Sequence, residues 1–136
     1  MSAWEELVQQ VRERAADRCE YCRMHQALQG ATFHVEHIQP GSLGGPTTLE
    51  NLAWCCPSCN LKKAARIELE DPQTGQTVRL FHPREDRWLD HFRIEEFGLV
   101  GLTAIGRATA EGLGFNEPRR VLIRQAEGQF GLFPPE

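Results

Sequence analysis

Two short stretches decide the fold: Cys19-Glu20-Tyr21-Cys22 and Cys56-Pro57-Ser58-Cys59. Two thiolates separated by two residues grip one ion from the same side, and a second such pair completes a tetrahedron. Zinc suits four thiolates because a structural site needs no open coordination position. Iron in a rubredoxin-like site for electron transfer, or disulfides, use the same spacing and stand as alternatives. The fifth cysteine, Cys55, lies beside Trp54 and reads as a small buried apolar residue. Five cysteines in 136 residues are too few, and too oddly counted, for a disulfide scaffold.

Outward from the knuckles, the N-terminal side is helical. Ser2 and Glu5 form a Ser-x-x-Glu capping box, and Trp4, Leu7, Val8, Val11 and Ala15 recur at helical spacing, so a helix is expected over 3–17. Arg12, Arg14 and Arg18 read as its solvated face. Between the knuckles, residues 32–38 are β-branched and alternating, hence a strand. Pro40, Gly41, Gly44, Gly45 and Pro46 interrupt structure, residues 49–55 form a second apolar segment, and Pro57 opens a helix over about 58–66. Further on, a turn at 71–75 precedes a strand at 77–81, 87–92 give one helical turn around Trp88, and 99–102 are extended. Thr103 caps a helix to about Leu113, and Asn116 caps another with Pro118 in its first turn and Arg119, Arg120 and Arg124 on a solvated face. Pro134-Pro135 reads as a frayed end.

Composition bounds the partners. Hydrophobic residues make up 40% and charged residues 25%, a globular balance, and no apolar run approaches the ~20 residues of a membrane span. A cytoplasmic protein without membrane contact is expected. With 15 basic against 19 acidic residues the net charge is −4, so contact with nucleic acid has to come from local patches. Lys62, Lys63 and Arg66 form one such candidate patch.

The polar residues between the knuckles are the hardest to explain as fold. In order they are Glu36-His37-Ile38, Gly44-Gly45, Asn51-Leu52, Cys59-Asn60 and Lys63. Together with the knuckles, this order resembles the HNH endonuclease family over about Cys19–Ala64. The stretch Leu80-Phe81-His82-Pro83-Arg84, with Trp88 and His91-Phe92, also resembles small stand-alone bacterial HNH proteins. The resemblance implies an α+β chain with a ββα-metal core at about 19–66 stapled by the four-cysteine zinc site. A helix at 3–17 and C-terminal strands and helices over 67–136 would flank it, as one domain spanning 1–136. It implies that Glu36 and Asn60 hold one divalent cation, that His37 is the general base on the attacking water, and that Asn51 holds the loop. Asn60 stands where the family name has its last His. DNA, double-stranded first and with RNA open, would be cut to leave a 5′-phosphate.

The chemistry of the residues agrees. A phosphodiester is anionic and poorly electrophilic, so cleavage calls for a cation to neutralise developing charge and a base to take a proton from water. A carboxylate and an amide oxygen are hard ligands that favour Mg²⁺ or Mn²⁺ over zinc at this second site. An imidazole can be neutral near pH 7 and accept a proton. Cys59 and Asn60 are adjacent, so the ion that fixes the knuckle also fixes the helix start that presents Asn60. His34, two residues before Glu36, shares its face on an ideal strand and reads as a supporting residue. The rival reading is a four-cysteine zinc domain that binds nucleic acid or protein without cutting.

Overall fold

The computed structural model describes residues 1–135. Ser2 Oγ accepts the N–H of Glu5 at 3.1 Å and starts helix α1, Ala3–Ala15. Val11 and Ala15 are its buried residues, and Leu7 and Val8 pack against the core. The helix ends short of Asp17 because Ala16 and Asp17 both turn left-handed, with φ of 55° and 61°. The arginine face is not solvated throughout. Arg14 donates to the carbonyls of Leu49 and Leu52, and Arg18 to those of Arg23 and Leu132. Only Arg12 keeps a surface role, paired with Asp17 at 2.7 Å.

Strand β1, His34–His37, runs antiparallel to β2, Leu52–Cys55, with Glu36 opposite Ala53 and His37 opposite Leu52. All of β2 is buried, as expected of a short apolar strand with no polar face. Helix α2, Pro57–Lys63, follows at once. Pro57 stands at its first position, and Cys56 Sγ caps it by accepting the Cys59 N–H at 3.4 Å. It stops at Lys63 rather than Arg66, because Ala64 leaves the helical region at φ 49°, ψ −126°. The resulting α+β arrangement has a β-hairpin and a helix built around the two knuckles.

The C-terminal part wraps this core. Strands β3, Glu68–Glu70, and β4, Thr77–Arg79, pair as a hairpin. Asp71 at its turn is fully enclosed and takes a bidentate bond from Arg107, at 3.0 and 2.9 Å. One helical turn, α3 (Trp88–His91), leads into a second hairpin of β5, Phe92–Glu95, and β6, Gly98–Gly101. Helix α4, Ala104–Gly112, is capped by Thr103, whose Oγ1 accepts the Gly106 N–H at 3.0 Å. Helix α5 is Pro118–Gln129.

Asn116 does not cap α5. Its side chain instead bonds both backbone groups of Leu99, at 2.8 and 2.7 Å, and Glu117 takes the cap position. Just before Pro134, Phe133 is buried against Phe97 with ring centres 6.3 Å apart, whereas Pro134 itself is exposed. An aromatic cluster joins the layers: Phe92 lies 5.3 Å from Phe81, 5.0 Å from Trp88 and 5.5 Å from Phe115. Among the described residues, no helix is long and apolar enough to cross a membrane.

Candidate functional site

The four knuckle cysteines converge. The sulfurs of Cys19, Cys22, Cys56 and Cys59 all lie within 4.8 Å of one another, fully inside the protein, and Cys22 Sγ is 3.8 Å from Cys56 Sγ. A tetrahedral ion with Zn–S near 2.3 Å has edges of about 3.8 Å, so the spacing is consistent with a zinc site and far too long for a disulfide. Cys55 is buried beside the cluster and belongs to the apolar core.

Three other chain segments secure the knuckles. Arg120, only 3% exposed, directs its guanidinium at the sulfurs, 3.0 Å from Cys59 and 3.7 Å from Cys56. Trp88 Nε1 donates to the carbonyl of Tyr21 at 2.8 Å. Glu20 accepts the Trp54 N–H at 2.7 Å and pairs with Arg84. Arg120 therefore corrects the expectation of a solvated face on α5. So does Arg124, whose side chain donates to the carbonyls of Phe97 and Phe115, both at 2.6 Å. No spacing rule in the sequence marks Arg120 as a partner of thiolates, because the contact spans about sixty residues.

The loop from β1 to β2 is pinned by Asn51. Its Oδ1 accepts the Gln39 N–H at 2.9 Å, while Nδ2 donates to the carbonyls of Gln39 and Pro46 at 3.0 and 2.9 Å. All but one of the bonds an amide side chain can readily make are thereby satisfied locally. This arrangement needs a glycine at 45. A Cβ there would lie 1.8 Å from the Gln39 carbonyl oxygen and 2.9 Å from Asn51 Nδ2.

Glu36 is buried on β1 between two partners. Tyr21 Oη donates to its Oε1 at 2.8 Å, and Lys63 Nζ lies 3.0 Å from its Oε2. Burial raises the carboxyl pKa, and the Lys63 charge and the two hydrogen bonds work against that rise. Lys63 also donates to the Ile38 carbonyl at 2.9 Å and is 1% exposed. It is thus an internal cation, not part of a surface patch.

The remaining candidates spread around this pair. His37 is half-buried, and its Nε2 lies 2.9 Å from Thr47 Oγ1 in the loop. Consecutive strand residues project to opposite faces, which separates the environments of Glu36 and His37. Asn60 is half-buried in α2, and His34 is exposed. Among the described residues, no hydrogen bond joins Glu36, His37 and Asn60 to one another. Lys62 lies 3.4 Å from Glu117 at the surface, and the exposed Arg66 folds back onto the carbonyls of Lys62 and Lys63.

Comparison with known families places a name on this segment. The family model described as HNH endonuclease matches residues 19–66, about a third of the chain, covering both knuckles, β1, β2 and α2. No curated protein and no solved structure matches the chain. A match to this family implies a nuclease, a phosphodiester hydrolase that acts on nucleic acid.

Proposed function

Taking residues 19–66 as an HNH endonuclease segment, we propose that this protein is a metal-dependent DNA endonuclease with a zinc-stabilised core. The observation that carries the reading is the convergence of the four buried sulfurs, which ties the start of α2 to the Cys19 knuckle beside β1. That tie holds Asn60 next to Cys59, one helical turn before the lysine that touches Glu36.

In this reading Glu36 and Asn60 supply hard oxygen ligands for Mg²⁺ or Mn²⁺. Both Glu36 oxygens already accept a donor, yet a carboxylate oxygen keeps a second lone pair for a cation. When bound, the cation supplies charge neutralisation at the phosphate and the leaving oxygen. His37 accepts a proton from the attacking water, and Thr47 orients its ring. The water oxygen forms the new bond to phosphorus as the P–O3′ bond breaks, leaving a 5′-phosphate. Asn51 and Gly45 hold the loop that carries Thr47, and Lys62 and Arg66 lie at the surface where a phosphate backbone can approach.

The test is supercoiled plasmid incubated with Mg²⁺ or Mn²⁺ against an EDTA control. The expected product is nicked circle only with the added cation. His37→Ala should keep its circular dichroism spectrum while the nicking rate drops by about 10²–10⁴. Absence of nicking with either cation, or an equal rate for His37→Ala, overturns the mechanism. One observation favours the non-catalytic zinc domain: Glu36 is already engaged by Lys63 and Tyr21. Plasmid binding without nicking would select that reading.

A further inference from the structure

Immediately past β1 lies a cavity of about 260 Å³ that the proposed chemistry leaves unused. Ile38 and Gln39 form one wall, Lys63 another, and Arg79 and His82 a third, so both halves of the chain build it. Lys63 makes it the direct neighbour of the candidate site, because Lys63 lines it and carries its ammonium 3.0 Å from Glu36 Oε2. A water claims about 30 Å³ of liquid, so the space suits a one- or two-ring heterocycle rather than an ion or a duplex.

Charge decides against a phosphate there. Arg79 is held by Asp86 through two bonds of 2.6 and 3.0 Å, and Lys63 is held by Glu36 and the Ile38 carbonyl. Glu68 and Glu85 also line the cavity, and neither makes an ion pair among the described residues. An anion would meet two carboxylates and, among the described lining residues, no free cation.

Hydrogen-bonding capacity favours a neutral, edge-polar guest. His82 Nδ1 accepts the N–H groups of Arg84 and Glu85, both at 3.1 Å, which leaves the proton of the neutral ring on Nε2. Burial lowers the His82 pKa and keeps the ring in that form. Gln39 donates its amide to the Leu43 carbonyl at 2.9 Å and retains Oε1 as an acceptor. Apolar surface from Ile38, Ile67 and Leu80 completes the walls.

We propose that this cavity is a nucleobase subsite, which takes an unstacked base beside the phosphate addressed by Glu36 and His37. The inference rests on the nuclease reading for its substrate, but its test does not need cleavage. A base can enter only when it leaves the stack, so the favoured substrates are single strands, mismatches and bulges.

The experiment is a histidine side-chain NMR titration of the zinc-loaded full chain without Mg²⁺ or Mn²⁺. Deoxynucleoside 5′-monophosphates should move the His82 Nε2 resonance, and 2-deoxyribose 5-phosphate should not. Ile67→Trp, which fills the cavity from an exposed position, should abolish the shift. Equal shifts with the sugar phosphate, no shift with any nucleotide, or a shift surviving Ile67→Trp overturns the subsite. A plasmid that is nicked regardless would then leave the nuclease reading intact.

Discussion

Replacing Arg120 with Met tests how the thiolate cluster tolerates burial. Four thiolates around one Zn²⁺ carry a net charge of −2, and Arg120 approaches to 3.0 Å from Cys59 Sγ. Unit charges 4 Å apart interact by about 4 kcal/mol at an effective dielectric of about 20, before the cost of burying the guanidinium is subtracted. What remains is comparable to losing an outer partner of a metal ligand, which typically weakens binding 10- to 100-fold, or about 1.4–2.8 kcal/mol. Met fills much of the volume without charge, so the loss is electrostatic rather than a cavity. Arg120→Lys keeps the charge but not the fork that also reaches the Leu113 carbonyl, and should fall between Met and the native residue. The assay is equilibrium competition for zinc with a chromophoric chelator, with helix content followed by circular dichroism at saturating zinc. An Arg120→Met protein that is fully helical and holds zinc as tightly as the native chain refutes the argument.

Cys19→Ser removes one of the four converging sulfurs and should unfold most of the chain, structural zinc being worth on the order of 10 kcal/mol; thermal melts with and without zinc check this. Gly45→Ala drives a methyl into the Gln39 carbonyl and should break the Asn51 clamp, lowering the urea midpoint by an amount equivalent to about 2–3 kcal/mol. The carboxyl of Asp71 is held below the usual carboxylate range by the Arg107 hydrogen bonds. A depressed folded pKa contributes stability above the unfolded value, near pH 4, that is lost as acid carries the pH down through the folded value. Urea midpoints at pH 7 and pH 3 should therefore differ more for the native chain than for Asp71→Asn, and identical differences would discount the pair.

The cysteine spacing made the buried cluster legible, because two short-range knuckles leave few ways to satisfy four thiolates. Ser2 and Thr103 were equally readable as caps, since the bond they form closes within three residues. What the sequence hid was long-range. Arg14, Arg120 and Arg124 sit at spacings that also suit a solvated helix face, and only the fold reveals carbonyls and sulfurs waiting at their tips. The β5–β6 hairpin carries no turn signal in the sequence for a local reason: Glu96, not glycine, occupies the left-handed position of its turn, at φ 57°. Lys63 looked like surface charge because a lysine is rarely enclosed, yet Glu36 provides the counter-ion that makes enclosure tolerable. For the candidate site, residue types and order were visible, whereas the prior engagement of Glu36 by Tyr21 was not.

The grip of Trp88, Arg84 and Arg120 on the knuckles bears on how this chain can be re-engineered. Residues 19–66 are not a portable cassette: grafted onto another protein, they would arrive with Tyr21's carbonyl lacking Trp88, Glu20's carboxylate lacking Arg84 and the Cys56 and Cys59 sulfurs lacking Arg120. A transplant that hopes to carry the four-cysteine cluster must bring the aromatic collar and the last helix with it.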